Sequence, residues 1–408
     1  MSSQQQKIIG FFLRHPHAFV RMVSEFYAFK PNEIQKHFGQ LQSRWLSCNK
    51  YCHWDSTTIS LYRDQIDWPL FSLNSNALGD VKLIDEFITD IVWTDFDSNS
   101  NKDQCITYNQ AVPWSEEFIS KYENFIDFSQ LSWCRQVPWT ENLIEKYFDR
   151  WNWEGLSANS NFPWSEETIS KYFDLFDWEA IIFFNDKFPW SLSIAKKCKR
   201  KLFEMDKELL LGNGVLWSQM EIIEEFADFV DWKQIAGSTN LPWHKENLRE
   251  RWKDHLEGLS FECNSAFVSD PQFFEANLDK YMANDAALFW WLSSSQVLPW
   301  SISFIERFKD YWQWSIMSWN ISLPWSSEFV DYYIKYWDWG NQTRTEDGFA
   351  TGASGIICNE GIPWDIDWIL KYEQFINVEA MSYEAMIWEK VFKPHMDEQT
   401  IDIIFRMI

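Results

Sequence analysis

A Pro-Trp pair recurs along the chain, ending at Trp114, Trp139, Trp164, Trp190, Trp243, Trp300, Trp325 and Trp364. A second aromatic stands fourteen residues after most of them, at Phe128, Trp153, Trp178, Trp314 and Trp339. A period of about 25 residues is too short for one unit to bury its own apolar face, so each must borrow its neighbour's and the units must stack. With 28 Trp, 34 Phe and 14 Tyr, the chain has ample apolar surface for a shared core despite a net charge of −24, which excludes intrinsic disorder.

The unit at Phe162-Pro163-Trp164-Ser165-Glu166-Glu167 shows how a copy is built. Pro163 keeps the residue before it extended. Ser165 can cap a new helix, and Glu166 and Glu167 lie at that helix's positive end. Trp164 and Ile169 take the two positions of a hydrophobic staple, as do Trp139/Ile144 and Trp325/Val330. Ile169, Tyr172, Phe173 and Phe176 then form a half-buried helical stripe. An Asp or Asn before the second aromatic, as in Asn152-Trp153 and Asp177-Trp178, suits a second cap and a short second helix. An apolar-Ser-x-Asn element closes the unit, as in Leu156-Ser157-Ala158-Asn159 and Met317-Ser318-Trp319-Asn320. Because Asn tolerates left-handed backbone, the pattern predicts it as the residue that ends the helix.

Degenerate copies extend this frame, from Trp54 to Trp68, Gly79 to Trp93 and Trp217 to Trp232. The expected fold is all-α, an α-solenoid of about twelve helical hairpins of ~25 residues. It comprises an N-terminal helical cap over residues 1–50, the repeat array over 51–379 and a C-terminal helical cap over 380–408 that closes the other end. Extra residues interrupt the frame near 94–104 and 340–358; the second stretch holds or adjoins five of the thirteen glycines. Insertions in such arrays become loops on one face, often a binding face.

No reaction is spelled by these residues. Gly348-x3-Gly352-x2-Gly355 follows no strand and lacks a Gly-Lys-Ser/Thr ending, so it is not a phosphate loop. Cys48-x3-Cys52-His53 has zinc-type ligands without a second pair, and its thiols read as buried. No histidine has a nucleophile or acid beside it in a catalytic motif. The seven cysteines are scattered and odd in number, unlike a disulfide framework. No run reaches the roughly 18 uncharged residues of a membrane span, and the start of the chain lacks the form of a secretory signal. These features make a cytoplasmic, nonenzymatic protein with no cofactor the expectation. The acidic balance argues against nucleic acid and for a protein partner with a basic surface. Lys196, Lys197, Lys199, Arg200 and Lys201 form the one dense basic cluster; with Arg344, Glu346, Asp347 and Phe349 of the second insertion they are the candidate contact residues. The regularly placed tryptophans are expected in the core, and the irregular Trp133, Trp290, Trp319 and Trp368 at the surface.

The Pro-Trp-Ser/Thr, Trp-Asp-Trp and Leu-Ser-x-Asn elements, clearest from Val137 to Trp190 and from Leu298 to Trp339, resemble a tryptophan-rich repeat of poorly characterised bacterial and large-virus proteins. The resemblance covers about three quarters of the chain; it implies a helical repeat array and transfers no catalytic residue. The expected function is that of a noncatalytic acidic scaffold presenting a concave face and inserted loops to a protein partner. The alternative is a ligand-sensing or inhibitory module, including a nucleic-acid mimic, and after it an enzyme with a site between repeats.

Overall fold

The computed structural model describes residues 1–94, 105–205, 216, 219–230, 232–237, 252–256, 268, 271–276, 286–340 and 355–408. Among these residues every regular element is helical and no strand forms, so the chain is all-α. In the unit at Trp164, Ser165 accepts a hydrogen bond from the Thr168 amide and starts a helix at Glu166–Lys171. Asp177 then accepts from Ala180 and starts Trp178–Phe184. Ser115, Thr140 and Ser326 cap first helices in the same way, as Asp67, Asp127 and Asn152 cap second ones.

The first helices are shorter than their apolar stripe predicts. Glu166–Lys171 has six residues, and Tyr172 leaves helical geometry at φ −109°, ψ 16°. Helices this short are marginal alone, so packing between units sets their ends. Tyr172 shows how: its hydroxyl donates to Glu145 of the preceding unit, which Lys171 also approaches at 2.9 Å. The pattern recurs where Lys121 and Tyr122 meet Asp85 at 2.8 and 2.7 Å, and where Lys371 and Tyr372 meet Asp331 at 2.7 and 2.8 Å. These partners hold the carboxyls below their ordinary range, led by Lys121 at Asp85, Tyr172 at Glu145 and Lys371 at Asp331.

The second helices are joined by a buried ladder. The serine hydroxyl of one unit accepts from the backbone N–H twenty residues on: Ser132 from Asn152, Ser157 from Asp177 and Ser318 from Asp338, each at 2.9 Å. The Asn amide donates back. Asn159 Nδ2 reaches the carbonyls of Ser132 and Cys134 at 3.1 and 3.0 Å, and Asn320 reaches those of Ser293 and Ser295 at 2.9 Å. The asparagines are not left-handed, in contrast to the sequence reading. Asn159 has φ −82°, ψ 109° and Asn359 has φ −86°, ψ 110°, because they are chosen for the side-chain amide that bridges two units. The ladder also reaches upstream of the Pro-Trp motif: Asn49 donates to the carbonyls of Ser24 and Tyr27 at 3.0 and 2.9 Å.

Two compact units form, one from residues 1–66 with 265–408 and the other from 67–264. Within the first, the terminal segments pack on each other, where the sequence reading had the last helices closing an opposite end. Helix Ser3–Arg14 lies against Glu398–Met407 and Ile366–Tyr372. Phe12 meets Phe392 at 4.7 Å and Phe19 meets Phe405 at 5.0 Å between ring centroids. Arg14 pairs with Glu373 at 2.7 Å, and His37 with Asp402 at 2.8 Å.

Candidate functional site

Both insertions open the same point of the repeat. In a regular second helix the apolar residue donates back to the cap residue, as Leu156 does to the Asn152 carbonyl at 3.0 Å. Ile106 makes this bond to Val92 at 2.9 Å and Ile356 makes it to Asp338 at 2.8 Å, with the inserted residues between donor and acceptor. Each insertion thus leaves from the first turn of a second helix, whose remainder is a 3₁₀ turn at Ile106–Tyr108 or Ile356–Cys358. Gly355 closes the second base at φ 84°, where an added Cβ would stand 2.3 Å from the Asp338 oxygen.

Some of the exposed aromatics stand at the ends of second helices. In the unit 67–264, Tyr108, Trp133 and Phe184 occupy the position just before the buried Asn or its replacement and are 41%, 36% and 53% exposed. Trp133 meets Phe184 edge to face at 6.0 Å, across the intervening copy. That copy has Ala158 at the equivalent position, and a Cβ on Gly155 would come within 2.8 Å of the Trp133 ring. Beside the ridge, at the base of the first insertion, lies a cavity of about 200 Å³ lined by Thr107, Tyr108, Gln130, Trp133, Arg135 and Gln136. Cys105, the first described residue after the insertion, places its sulfur 2.8 Å from Thr107 Oγ1 and 3.1 Å from Gln130 Oε1. Aromatic faces, amides and a guanidinium converge there, a set suited to peptide contact.

Of the irregular tryptophans, Trp133, Trp290 and Trp319 are exposed, whereas Trp368 is buried between Trp364 and Tyr372, at 4.5 and 4.4 Å. Its place in the first turn of helix Ile366–Tyr372 turns it inward. Arg344, Glu346, Asp347 and Phe349 lie outside the described residues. The basic cluster sits on helix Leu192–Glu204 and is largely engaged by neighbours. Lys196 pairs with Glu225 at 3.0 Å and Arg200 with Glu204 at 2.9 Å. Lys197 donates to Ser170 Oγ, as Lys146 does to Ser120 two units earlier. Lys199 lies over the rings of Phe226 and Phe229, and Lys201 is half-buried. Sequence reasoning missed Tyr108, Arg135 and Phe184; their signal is the frame position next to the Asn.

Burial pushes the thiols of Cys134 and Cys198 up to about 11 and 12, and that of Cys52 up as well, which disfavours the thiolate. No disulfide joins the described cysteines. Among the described residues no cluster of His, Cys, Asp and Glu is placed to hold a metal, and no helix is long and apolar enough to cross a membrane. No family model, curated protein or solved structure matches the chain.

Proposed function

We propose that the chain is a noncatalytic scaffold, an α-solenoid of about twelve units that binds a basic protein partner in the cytoplasm through the aromatic ridge of its second helices and its inserted loops. The observation that carries this reading is the exposed Trp133–Phe184 pair beside the base of the first insertion. Large rings left in water on a repeat surface are characteristic of interface anchors. Charge supports the choice of partner. Lys121, Lys171, Lys196 and Lys371 are paired with carboxylates, and the chain carries 60 acidic against 36 basic residues. The resemblance to tryptophan-rich helical repeats agrees with it.

The test compares proteins retained from a native lysate by the parent chain and by Trp133→Ala/Phe184→Ala, followed by binding measurements with the purified partner across ionic strength. A basic protein that the double variant no longer holds, with affinity falling as salt rises, is the expected result. Equal retention by the variant, or a salt-independent affinity, overturns the reading.

A further inference from the structure

The unit formed by 1–66 and 265–408 holds a second feature, independent of the ridge. A cavity of about 340 Å³ lies between the start of helix Pro16–Phe26 and helix Val378–Met381, lined among others by His17, Arg21, Gln42, Glu379 and Tyr383. The Arg21 side chain is only 6% exposed. Its guanidinium carbon lies 3.5 Å from the Trp45 ring centroid and 4.3 Å from that of Tyr383, so aromatic rings cover the group. Nη2 pairs with Glu25 one turn along the helix. Nε and Nη1 are buried without a hydrogen-bond partner.

A folded protein seldom leaves buried donors unmet, because their desolvation is then uncompensated. Two other basic side chains at the cavity are already served: Arg14 gives Nε and Nη2 to Glu373 at 2.9 and 2.7 Å, and His15 Nε2 lies 2.8 Å from the same carboxylate. The same cavity meets the N-terminus of an eleven-residue helix whose N-cap, His15, supplies no side-chain acceptor. First-turn amides and the helix dipole there favour an anion.

We propose that this cavity binds a small organic acid through one carboxylate, which accepts from Arg21 and from the first turn of the helix. Pro16, Ala18 and Val378 supply an apolar wall for a body of a few carbons. Glu379 at the same cavity disfavours ligands with two or three negative charges.

Thermal melting and saturation-transfer NMR at matched ionic strength test the assignment, with lactate and propionate as probes and propionamide, inorganic phosphate and citrate as comparators. Lactate or propionate should raise the melting temperature and the three comparators should not. Arg21→Met/Glu25→Gln, which removes both members of the ion pair, should weaken binding on the order of tenfold or more. Val378→Trp, at a half-buried position on the cavity wall, should block it without touching Arg21. No response to either acid, an equal response to phosphate or citrate, or unchanged binding in Val378→Trp overturns the proposal.

Discussion

A single asparagine shows how this chain spends a side chain. Asn159 is 1% exposed, its amide nitrogen donates to two carbonyls of the preceding unit, and its oxygen accepts from the Asn161 amide at 3.0 Å. Its own carbonyl accepts from the Trp164 indole at 3.0 Å. Asn159→Leu would strand buried polar groups on two units and should cost about 3 kcal/mol in urea unfolding. A loss within experimental error would show that water substitutes for the amide. The tryptophans work by volume as well as by bonding. Trp337 is 5% exposed and donates to the Val330 carbonyl at 3.1 Å, so Trp337→Ala should cost about 3–5 kcal/mol.

Within an element, the insertions test how much of a helix can be opened while its closing bond is kept. Gly355 makes the second closure possible, since a side chain there would strike the Asp338 carbonyl in a backbone region that L residues avoid. Gly355→Ala should therefore cost about 2 kcal/mol or more. Gly10 gives the contrasting case, being inside helix Ser3–Arg14 with only Arg14 Nη1 at 3.8 Å from an added Cβ. Gly10→Ala should stabilise by about 0.5–1 kcal/mol. If both variants melt alike, backbone conformation is not what Gly355 supplies. Shortening the chain between Gly340 and Gly355 while retaining both glycines should leave the melting temperature near that of the parent, because the Ile356–Asp338 bond survives.

At the scale of the molecule, acid should loosen the contact between the terminal segments. Glu373 is held below its ordinary value by Arg14, and Asp402 by Lys36. A carboxyl depressed in the folded state contributes stability that is full above its unfolded value, about 4, and is lost as pH falls through the lower folded value. Protonation elsewhere relieves repulsion among the 60 acidic residues, so the informative quantity is the difference between parent and variant. The melting gap between the parent and Glu373→Gln/Asp402→Asn should be open at neutral pH and close as the pH drops below about 4. A gap independent of pH would mean that these pairs contribute nothing through their charge. Their exposure keeps the expected effect small.

The helical class, the caps at Ser165 and Asp177 and the period itself were legible because they depend on local spacing: a Ser before two glutamates starts a helix wherever it stands. The inward positions of Ile169 and Tyr172 followed from the same local rule. The role of Asn159 was not legible, since its partners lie 25 and 27 residues away and only stacking brings them within reach. Lys196 and Lys197 likewise read as a basic patch until Glu225 and Ser170 of the adjoining units engaged them. Trp133 and Trp368 are equally irregular in the sequence, yet one stands on the ridge and the other is enclosed by Trp364 and Tyr372. Arg21 gave no signal at all, because its meaning comes from Trp45 and Tyr383, which chain folding brings together from opposite ends of the sequence. Local spacing determined the helices and their repetition; what each polar side chain does was decided by tertiary packing, because burial, and with it the cost of an unmet donor, exists only after the units and the termini have met.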